Sequence, residues 1–512
     1  MTSTTIASTP ETRPARGRRA AVIALAAGLV VAALALLVAP SPHRLSDVRS
    51  GDPDSDERAL ADRVAPIVGD ERTGYRGLSV ALVDPSGTTT ATVGDPAGGP
   101  LFEIGSVTKV LTGMLLADLV EDGTVRPDEP LRALLPDVRF TDERVGDITL
   151  AELASHRSGL PRLATTSSTA LRSAWANLRG ANPYGEDVDD LRRQAADARV
   201  GSGRGEVHYS NFGMALLGQA LAARTGTPYP ELVSERILRP LGMSDTLLTV
   251  DDPPPPGLAA GSTASGRPVA AWSGVGYAPA GVGPRSTAAD LAKLVAAVRD
   301  GRAPGATAAI PRFDAGDDSR IGYAWFTDQH DDQQITWHNG ATGGFSSYVG
   351  FDRASGRAVV VLGNTDRGVE WIGIRLLGAS AEPSATTASP WLVWMTLGLL
   401  LYVVVALPLL AFARAGHSAW WNSAPDRARL IATTLASVAL LLVAHRLGTW
   451  LSVPPLLWAL TAGVAAAGAA LVVLRWRDLP LLAGGPRSLR WTAFAGSIAS
   501  SVLVIGVTLT VW

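Results

Sequence analysis

The stretch FEIGSVTK, residues 102–109, predicts a loop that delivers Ser106 to the first turn of a buried helix. Apolar residues follow at helical spacing as far as Leu115, and Gly123 comes just after the acidic end of the segment. Lys109 lies three positions after Ser106, so both side chains share a helix face and the amine can reach the hydroxyl. A serine hydroxyl needs a base to take its proton, and a desolvated lysine can be that base. The pair therefore predicts nucleophilic catalysis.

A simpler interpretation of the same pattern is a structural helix with a serine cap, because Ser-x-x-Lys fixes only two of four positions. The composition argues against it. Only two of the 45 basic residues are lysines, Lys109 and Lys293, and all others are arginine. Arginine could hold a charge here but could not act as a base, because it does not lose its proton. We therefore favour a catalytic pair.

The overall composition separates a soluble part from a membrane part. The length of 512 residues allows two or three domains, and the net charge of −2 gives no electrostatic case for binding nucleic acid. The absence of cysteine excludes disulfides, thiolate metal sites and cysteine nucleophiles. After Glu382 only two acidic residues remain, whereas nine of the 14 tryptophans lie there.

The N-terminus predicts a membrane anchor. Residues 1–19 contain four arginines and would stay in the cytoplasm, and the apolar run 20–39 is long enough to span about 30 Å. The run exceeds the usual apolar core of a signal peptide, and Pro-Ser-Pro follows it, so we favour an uncleaved anchor over a cleaved signal peptide. The polar residues 40–57 predict a linker.

Residues 58–378 predict an exported α+β domain. Residues 77–87 and 88–93 are typical of two strands joined by an Asp-Pro-Ser-Gly turn, and 345–352 and 358–364 of a second pair. Strands at both ends with helices between them indicate one antiparallel sheet flanked by helices. The polar segment 164–205 either covers a site or is a disordered insert.

Two further motifs could carry chemistry. Tyr209 and Asn211 precede a helix over 212–224, where the phenol could relay or remove a proton if a nearby ammonium lowers its pKa, and the amide could orient a substrate or the lysine. The alternative is a buried tyrosine with a capping asparagine. In the stretch HNGA, His338 to Ala341, the N–H after Gly340 could join the Ser106 N–H in an oxyanion hole; the alternative is a solvated loop histidine.

Taken in order, the motifs Ser-x-x-Lys, Tyr-x-Asn and His-x-Gly resemble the serine β-lactamase-like, penicillin-binding family. They most resemble its class C group of β-lactamases, D-Ala-D-Ala carboxypeptidases, D-aminopeptidases and esterases. The resemblance covers about residues 64–364. It includes LASHRSGLP at 153–161, PLGM at 240–243, and AG at 280–281 leading to STAADLA at 286–292.

The resemblance implies a β-lactamase/transpeptidase-like fold and acyl transfer to water through a serine ester, without metal or cofactor. It implies Ser106 as nucleophile and Lys109 with Tyr209 as the base pair. Asn211, His338 and Gly340 would bind substrate, and the N–H groups of Ser106 and Ala341 would form the oxyanion hole.

The sequence departs from the family at one of these motifs. His338 and Asn339 stand where the family most often has lysine and threonine, so a permanent cation for a substrate carboxylate is missing. This difference weakens the case for antibiotic hydrolysis. The glutamate-bearing loop and Ser-Asp-Asn motif of class A enzymes are also absent.

Residues 379–390 predict a linker and 391–512 an all-α segment of four transmembrane helices, over 391–413, 430–451, 456–474 and 491–512. Arginines fall in the two loops that would be cytoplasmic, which predicts a multi-pass membrane protein with an extracytoplasmic catalytic domain and an outer C-terminus. His445 and Arg446 lie inside a span near its outer end, where snorkelling is a simpler interpretation than a transport pathway.

Three functional hypotheses follow. The first is an exported, membrane-tethered serine hydrolase that forms an acyl-enzyme, acting on cell-wall D-amino-acid peptides or related amides and esters. The second is a penicillin- or peptide-binding sensor that is acylated at the same serine without turnover. The third is an inactive scaffold. The partners expected are a small-molecule or peptide substrate and the membrane, and the oligomeric state stays open.

Overall fold

A computed structural model describes residues 13–96, 98–164, 167–248, 255–383, 390–412, 426–483 and 486–509. The chain forms two compact units, one of residues 42–386 and one that combines residues 1–41 with 387–512. Parts of the predicted linker 379–390, the cytoplasmic stretch 1–19 and the first inner loop after residue 412 lie outside the described residues.

The described strands and helices have the following bounds. The strands are β1 (Gly77–Asp84), β2 (Gly87–Gly94), β3 (Phe102–Glu103), β4 (Arg285–Ser286), β5 (Phe313–Gly316), β6 (Ser319–Ile321), β7 (Phe326–His330), β8 (Gln333–Ala341), β9 (Ser346–Asp352) and β10 (Arg357–Gly363). The helices are α1 (Arg13–Leu37), α2 (Asp56–Val68), α3 (Thr108–Glu121), α4 (Leu131–Leu134), α5 (Glu143–Gly146), α6 (Leu150–Ala154), α7 (Ser167–Arg179), α8 (Val188–Asp197), α9 (Asn211–Thr225), α10 (Tyr229–Val233), α11 (Ala288–Arg299), α12 (Glu370–Leu377), α13 (Pro390–Phe412), α14 (Arg427–Leu447), α15 (Leu456–Leu474) and α16 (Arg487–Leu509).

An antiparallel sheet of eight strands, in the order β2-β1-β10-β9-β8-β7-β6-β5, organises the unit of residues 42–386. The strands predicted at the two ends of the domain pair with each other, because β1 lies between β2 and β10. The helices between β2 and β5 therefore form an insertion into the sheet. The α+β fold with an antiparallel sheet flanked by helices is confirmed.

Both faces of the central strands are buried, which makes two cores. On β10, Val360 and Leu362 pack into the larger core with α3, α9 and α11. Val359 and Val361 alternate with them and face the second core, beneath α2 and α12. This alternation follows from the two-residue period of a strand, and it fixes which residues of each strand face the inserted helices.

Three strands of the sheet, β5 to β7, are absent from the sequence-based interpretation. They form short antiparallel hairpins, and β5 to β7 carry mainly polar or part-exposed residues. A period-two pattern is weak in such strands because few apolar residues mark the buried face. The interpretation recognised only the end of β8, although β8 pairs with β9 along its length from Ile335 to Ala341.

Two segments are more structured than expected. Leu45, in the predicted linker 40–57, is 3% exposed and packs in the second core, and Arg44 pairs with Thr73 as an isolated bridge. Segment 164–205 contains α7 and α8, and Leu191 of α8 is fully buried in the larger core. The described part of this segment therefore packs against the larger core of the domain and is not a disordered insert.

The other unit contains α1, α13, α14, α15 and α16, five helices that are each long and apolar enough to cross a membrane. Helices α1 and α15 approach closely at two glycines: a Cβ on Gly28 would lie 2.9 Å from the Gly463 carbonyl oxygen. Small residues at such a crossing let two backbones pack together in lipid. Asp426 caps α14 and pairs with Arg490 of α16. His445 bonds to the Val38 carbonyl oxygen across 2.9 Å, so it links two segments of this unit.

We predict that Leu78→Ala destabilises the unit of residues 42–386 by about 2–5 kcal/mol, because the side chain is fully buried between β1 and the helices above it and leaves a cavity. Chemical denaturation of the full-length chain in detergent, followed by near-UV circular dichroism, measures the loss. The matched control is Leu171→Ala, at a side chain that is 72% exposed, with an expected change below about 0.5 kcal/mol. Equal midpoints for the two variants would contradict this core assignment.

Candidate active site

Ser106 and Lys109 form the centre of the site. A 3-10 turn over Gly105–Val107 carries Ser106 into α3, and Lys109 lies in the first turn of that helix. The Lys109 Nζ is 2.8 Å from Ser106 Oγ and donates to the Ala280 carbonyl oxygen across 2.5 Å. The side chain of Lys109 is fully buried, whereas Ser106 is partly exposed. The predicted approach of amine and hydroxyl is therefore present.

Burial lowers the pKa of Lys109 well below its usual range, and the charge of Arg162 lowers it further. An ammonium withdrawn from water without a carboxylate partner is unfavourable, so this environment favours the neutral amine. The second lysine of the chain shows the contrast. Lys293 is 45% exposed at its side chain and pairs with Asp290 across 2.7 Å.

Tyr209 closes the site from the segment before α9. Its ring centre lies 4.9 Å from the Lys109 Nζ, and its side chain is hydrogen-bonded to Ser106. Burial raises the pKa of Tyr209 to about 12, and the Ser106 hydrogen bond and the charge of Arg162 only partly oppose this. The sequence-based hypothesis had an ammonium lowering this pKa. Burial instead dominates this pKa, so the phenol keeps its proton.

Two buried histidines flank Tyr209. The His156 ring lies 4.4 Å from the Tyr209 ring, and its Nδ1 accepts a hydrogen bond from the Ser210 N–H across 3.2 Å. The His338 ring lies 6.2 Å from Tyr209 on the β8 side. His338 is 1% exposed and its pKa is lowered to about 3, mainly by burial, so it is neutral. His338, which was expected to bind substrate, lies behind the tyrosine and outside the residues that line the cavity.

The end of β8 lies against the turn that carries Ser106. A Cβ on Gly340 would lie 2.2 Å from the Ile104 carbonyl oxygen and 2.9 Å from the Ser106 nitrogen, so only glycine fits. Gly105, at φ 48°, faces Ala341 at a similar distance. The Ser347 hydroxyl on β9 donates to the Ile104 carbonyl oxygen across 2.7 Å. These contacts bring Ser106 and Ala341 together in the lining of one cavity.

The cavity has a volume of about 390 Å³ and is lined by Ser106, Tyr209 and Asn211 together with Gly340 and Ala341. Asn211 begins α9, and its Oδ1 is buried without a hydrogen-bond partner among the described residues. A buried acceptor of this kind is normally satisfied by a ligand or water. Of the predicted site residues, only Lys109 and His338 lie outside the cavity lining.

Several residues of the cavity were not predicted. Arg162, Tyr184, Trp272 and Tyr277 line it, and all lie in loops or irregular segments without a periodic pattern. Arg162 directly follows the stretch LASHRSGLP, which was the one available signal. Buried Glu103 accepts a hydrogen bond from the Trp272 N–H across 2.5 Å and holds that wall; burial raises its pKa to about 7. Among the described residues, no cluster of three or more histidine, aspartate or glutamate side chains could hold a metal ion.

A family model described as Beta-lactamase matches residues 57–380, which is more than half of the chain. The chain belongs to the beta-lactamase family. This assignment confirms the resemblance derived from the motifs and makes the unit of residues 42–386 a member of a family of serine hydrolases.

Among curated relatives, the D-alanyl-D-alanine-carboxypeptidase/endopeptidase AmpH of Escherichia coli is 31% identical over 188 residues, which cover 35% of this chain and 46% of the relative. The chain thus spans about half the length of such curated relatives. Among solved structures, a class C beta-lactamase aligns with TM-score 0.55 and 18% identity, covering 65% of this chain and 99% of its own. The D-alanine carboxypeptidase AmpC of Burkholderia cenocepacia aligns with TM-score 0.52 and 24% identity, covering 62% and 99%. At these identities the two structures support the fold of the beta-lactamase-like unit.

We predict that Gly340→Ala lowers kcat for a chromogenic ester about 100-fold, because the added methyl displaces β8 from the Ser106 backbone. Steady-state hydrolysis of p-nitrophenyl acetate by the full-length chain in detergent measures this change. Gly398→Ala is the matched control, since a Cβ there meets no atom within 4 Å. A Gly340 variant as active as the control would show that the close approach is not needed.

Proposed function

We propose that the chain is a membrane-tethered serine hydrolase that works through an acyl-enzyme at Ser106. The observation that carries this proposal is a neutral, buried Lys109 amine 2.8 Å from a serine hydroxyl that opens onto a cavity. A hydroxyl with a general base at this distance has the arrangement of an activated nucleophile.

In the acylation step, the Ser106 hydroxyl gives its proton to the Lys109 amine while Oγ attacks the substrate carbonyl carbon. The carbonyl oxygen becomes an oxyanion, for which the backbone N–H groups of Ser106 and Ala341 are the donors on the cavity wall. The carbon–nitrogen or carbon–oxygen bond of the leaving group then breaks, which leaves an ester on Ser106.

The leaving group departs with a proton, and Tyr209 is placed to supply it. Its phenol is protonated, lines the cavity and is hydrogen-bonded to Ser106. The phenol regains a proton from the Lys109 ammonium, whose Nζ lies against the tyrosine ring. Water then attacks the ester carbon and gives one proton to the neutral amine. The bond between that carbon and Ser106 Oγ breaks, and the Lys109 ammonium returns the proton to Oγ, which releases the acid and restores both Ser106 and the neutral amine. Lysine thus acts as base and tyrosine as proton donor.

The walls of the cavity favour an amide-bearing substrate such as a D-amino-acid peptide. The Oδ1 of Asn211 is a buried acceptor that a substrate N–H would satisfy, and one curated relative is a carboxypeptidase and endopeptidase by name. His338 replaces a cation by a neutral ring, which argues against efficient hydrolysis of penicillins. Related esters remain within the same chemistry.

The sensor hypothesis is less well supported. A base and a proton donor both stand beside the serine, as repeated turnover requires, whereas a sensor that is acylated once does not need to turn over. Membrane attachment is supported by the five apolar helices. The close packing of α1 on α15 at Gly28 and Gly463 favours a retained N-terminal helix over a cleaved signal peptide. The arginines of the inner loops place the catalytic unit outside the cytoplasmic membrane in this proposal.

We predict that Ser106→Ala and Lys109→Arg each lower kcat/KM for a chromogenic ester and a D-amino-acid amide by about 10³-fold or more. Arginine keeps the positive charge but cannot take a proton. The matched control is Lys293→Arg, which replaces the only other lysine and leaves its ion pair with Asp290 possible. Full activity of Lys109→Arg would eliminate the lysine as base.

The same purified proteins distinguish repeated turnover from stable acylation. The wild-type chain should release the ester product in repeated cycles after a burst, whereas a sensor would stop after one equivalent. If Ser106→Ala hydrolyses the substrates as fast as wild type, the acyl-enzyme mechanism is wrong.

The pH dependence follows from the Lys109 pKa. Only the neutral amine can act as the base, so kcat/KM rises with pH as Lys109 loses its proton, at a pKa well below the ordinary 10.5. It does not fall before the Tyr209 phenol ionises near pH 12. Because the charge of Arg162 lowers the Lys109 pKa, Arg162→Ala should move the rising limb to higher pH.

Pre-steady-state acylation over a range of pH measures this shift. Glu103 titrates near pH 7, but Arg162 is not among the groups that shift its pKa. If the rising limb of the pH profile has the same position in Arg162→Ala as in wild type, that limb belongs to Glu103 or another group. Such a result would contradict the assignment of the limb to Lys109.

A further inference from the structure

The two sides of the cavity differ in charge. On the β8 side, His338 is neutral and buried, and the Asn339 side chain donates to the Glu370 carboxylate across 2.6 Å. A substrate carboxylate placed on this side would find no cation at residue 338, and the Glu370 carboxylate lies beyond Asn339. The β8 side is therefore unsuited to bind a substrate carboxylate.

The part of the cavity beside the start of α9 carries a cation. Arg162 lines the cavity and is exposed, and its guanidinium carbon lies 5.4 Å from the centre of the Tyr209 ring. It forms no ion pair within the described part of the chain. Its carbonyl oxygen accepts hydrogen bonds from the N–H groups of Asn211 and Phe212, at 3.0 and 3.2 Å, so its backbone is fixed at the start of α9. The guanidinium thus lies beside Tyr209 in the cavity lining, and a guanidinium offers paired donors that match a carboxylate.

We propose that Arg162 binds a carboxylate in the acyl part of the substrate, and that the enzyme prefers acyl donors with such a group. This inference rests on the proposed acyl-transfer function. A guanidinium matches a carboxylate with two parallel hydrogen bonds, which are stronger than those between neutral groups. The position replaces the cation that is missing at residue 338, but beside the start of α9.

The acyl part is assigned because Arg162 adjoins Asn211, whose free Oδ1 fits the N–H of an acylamino group. The cavity also continues on this side. Leu163, Tyr184 and Trp272 are shared with a neighbouring space of about 220 Å³, which gives room for a chain beyond the reacting carbonyl. Among the described residues that line the cavity, Arg162 is the only cation, so a carboxylate on the leaving group would find no second one there.

The test uses two chromogenic esters with the same leaving group that differ by one charge, p-nitrophenyl glutarate and its neutral counterpart p-nitrophenyl glutaramate. The full-length chain in detergent should hydrolyse the glutarate with a kcat/KM about tenfold or more above the glutaramate. Arg162→Ala should reduce this ratio to about one, Arg162→Lys should retain part of it, and Arg162→Glu should invert it. Each variant is measured at the plateau of its own pH profile, because Arg162 also affects Lys109.

Two controls separate the possible failures. Arg126→Ala removes an arginine that is 74% exposed outside the cavity, and it should leave the ratio unchanged. Ser106→Ala gives the background of both esters. If wild type exceeds this background for neither ester, the proposed function fails and this inference with it. If wild type hydrolyses both and the ratio is the same in Arg162→Ala, only the role of Arg162 is wrong.

A second substrate pair tests the side of the scissile bond. An acyl D-lactate ester and its D-lactamide counterpart carry the charge difference on the leaving group. Their ratio should not depend on residue 162. If Arg162→Ala changes this ratio and leaves the glutarate ratio intact, the carboxylate binds on the leaving-group side and the assignment to the acyl part is overturned.

Discussion

The removal of water from one amine is the constraint on which the rest of the structure depends. Lys109 is fully buried at the start of α3, and its Nζ contacts Ser106 Oγ and the Ala280 carbonyl oxygen. Neither group is a carboxylate, so no opposite charge offsets the loss of hydration, and the amine gives up its proton. A neutral amine keeps a lone pair for the serine proton. The helical layer and the end of β8 therefore serve the chemistry by keeping this amine dry.

Holding the site in this form requires strained and crowded backbone. Gly105 and Gly281 adopt φ values of 48° and 110°, which glycine tolerates, but His156 adopts 58° with a full side chain. A conformation of this kind costs about 1–3 kcal/mol and persists only where the surroundings fix it. Here the His156 ring packs against Tyr209, and its Nδ1 accepts from the Ser210 N–H. The strain thus lies directly behind the residue that shares a hydrogen bond with the nucleophile.

The sequence predicted those parts of the molecule whose signals are local. The apolar helices α3 and α9 and the strands β1, β2, β9 and β10 follow from period and turn residues, and the spacing of Ser106 and Lys109 is enough to bring them together. The strands within residues 313–330 were not predicted, because they are short and polar. The burial of His338 depends on the pleat of β8 and on its neighbours, and Arg162 reaches the cavity from a loop. Long-range packing decides such positions, so periodicity does not reveal them.

The position of Arg162 couples binding to catalysis. Its charge lowers the pKa of Lys109, and a carboxylate bound to it would cancel part of that field. By linkage, an anionic substrate bound at Arg162 raises the pKa of the base. Protonation of the base in turn strengthens binding of that anion by the same free energy. The base tolerates this because burial, the larger cause, does not depend on the substrate. A bound acyl donor also excludes further water from the cavity, which opposes protonation. If a nearby positive charge alone kept the base neutral, a bound anion would cancel that charge and the base would become protonated. Desolvation does not depend on the anion, so a base kept neutral by burial can act beside an anionic substrate.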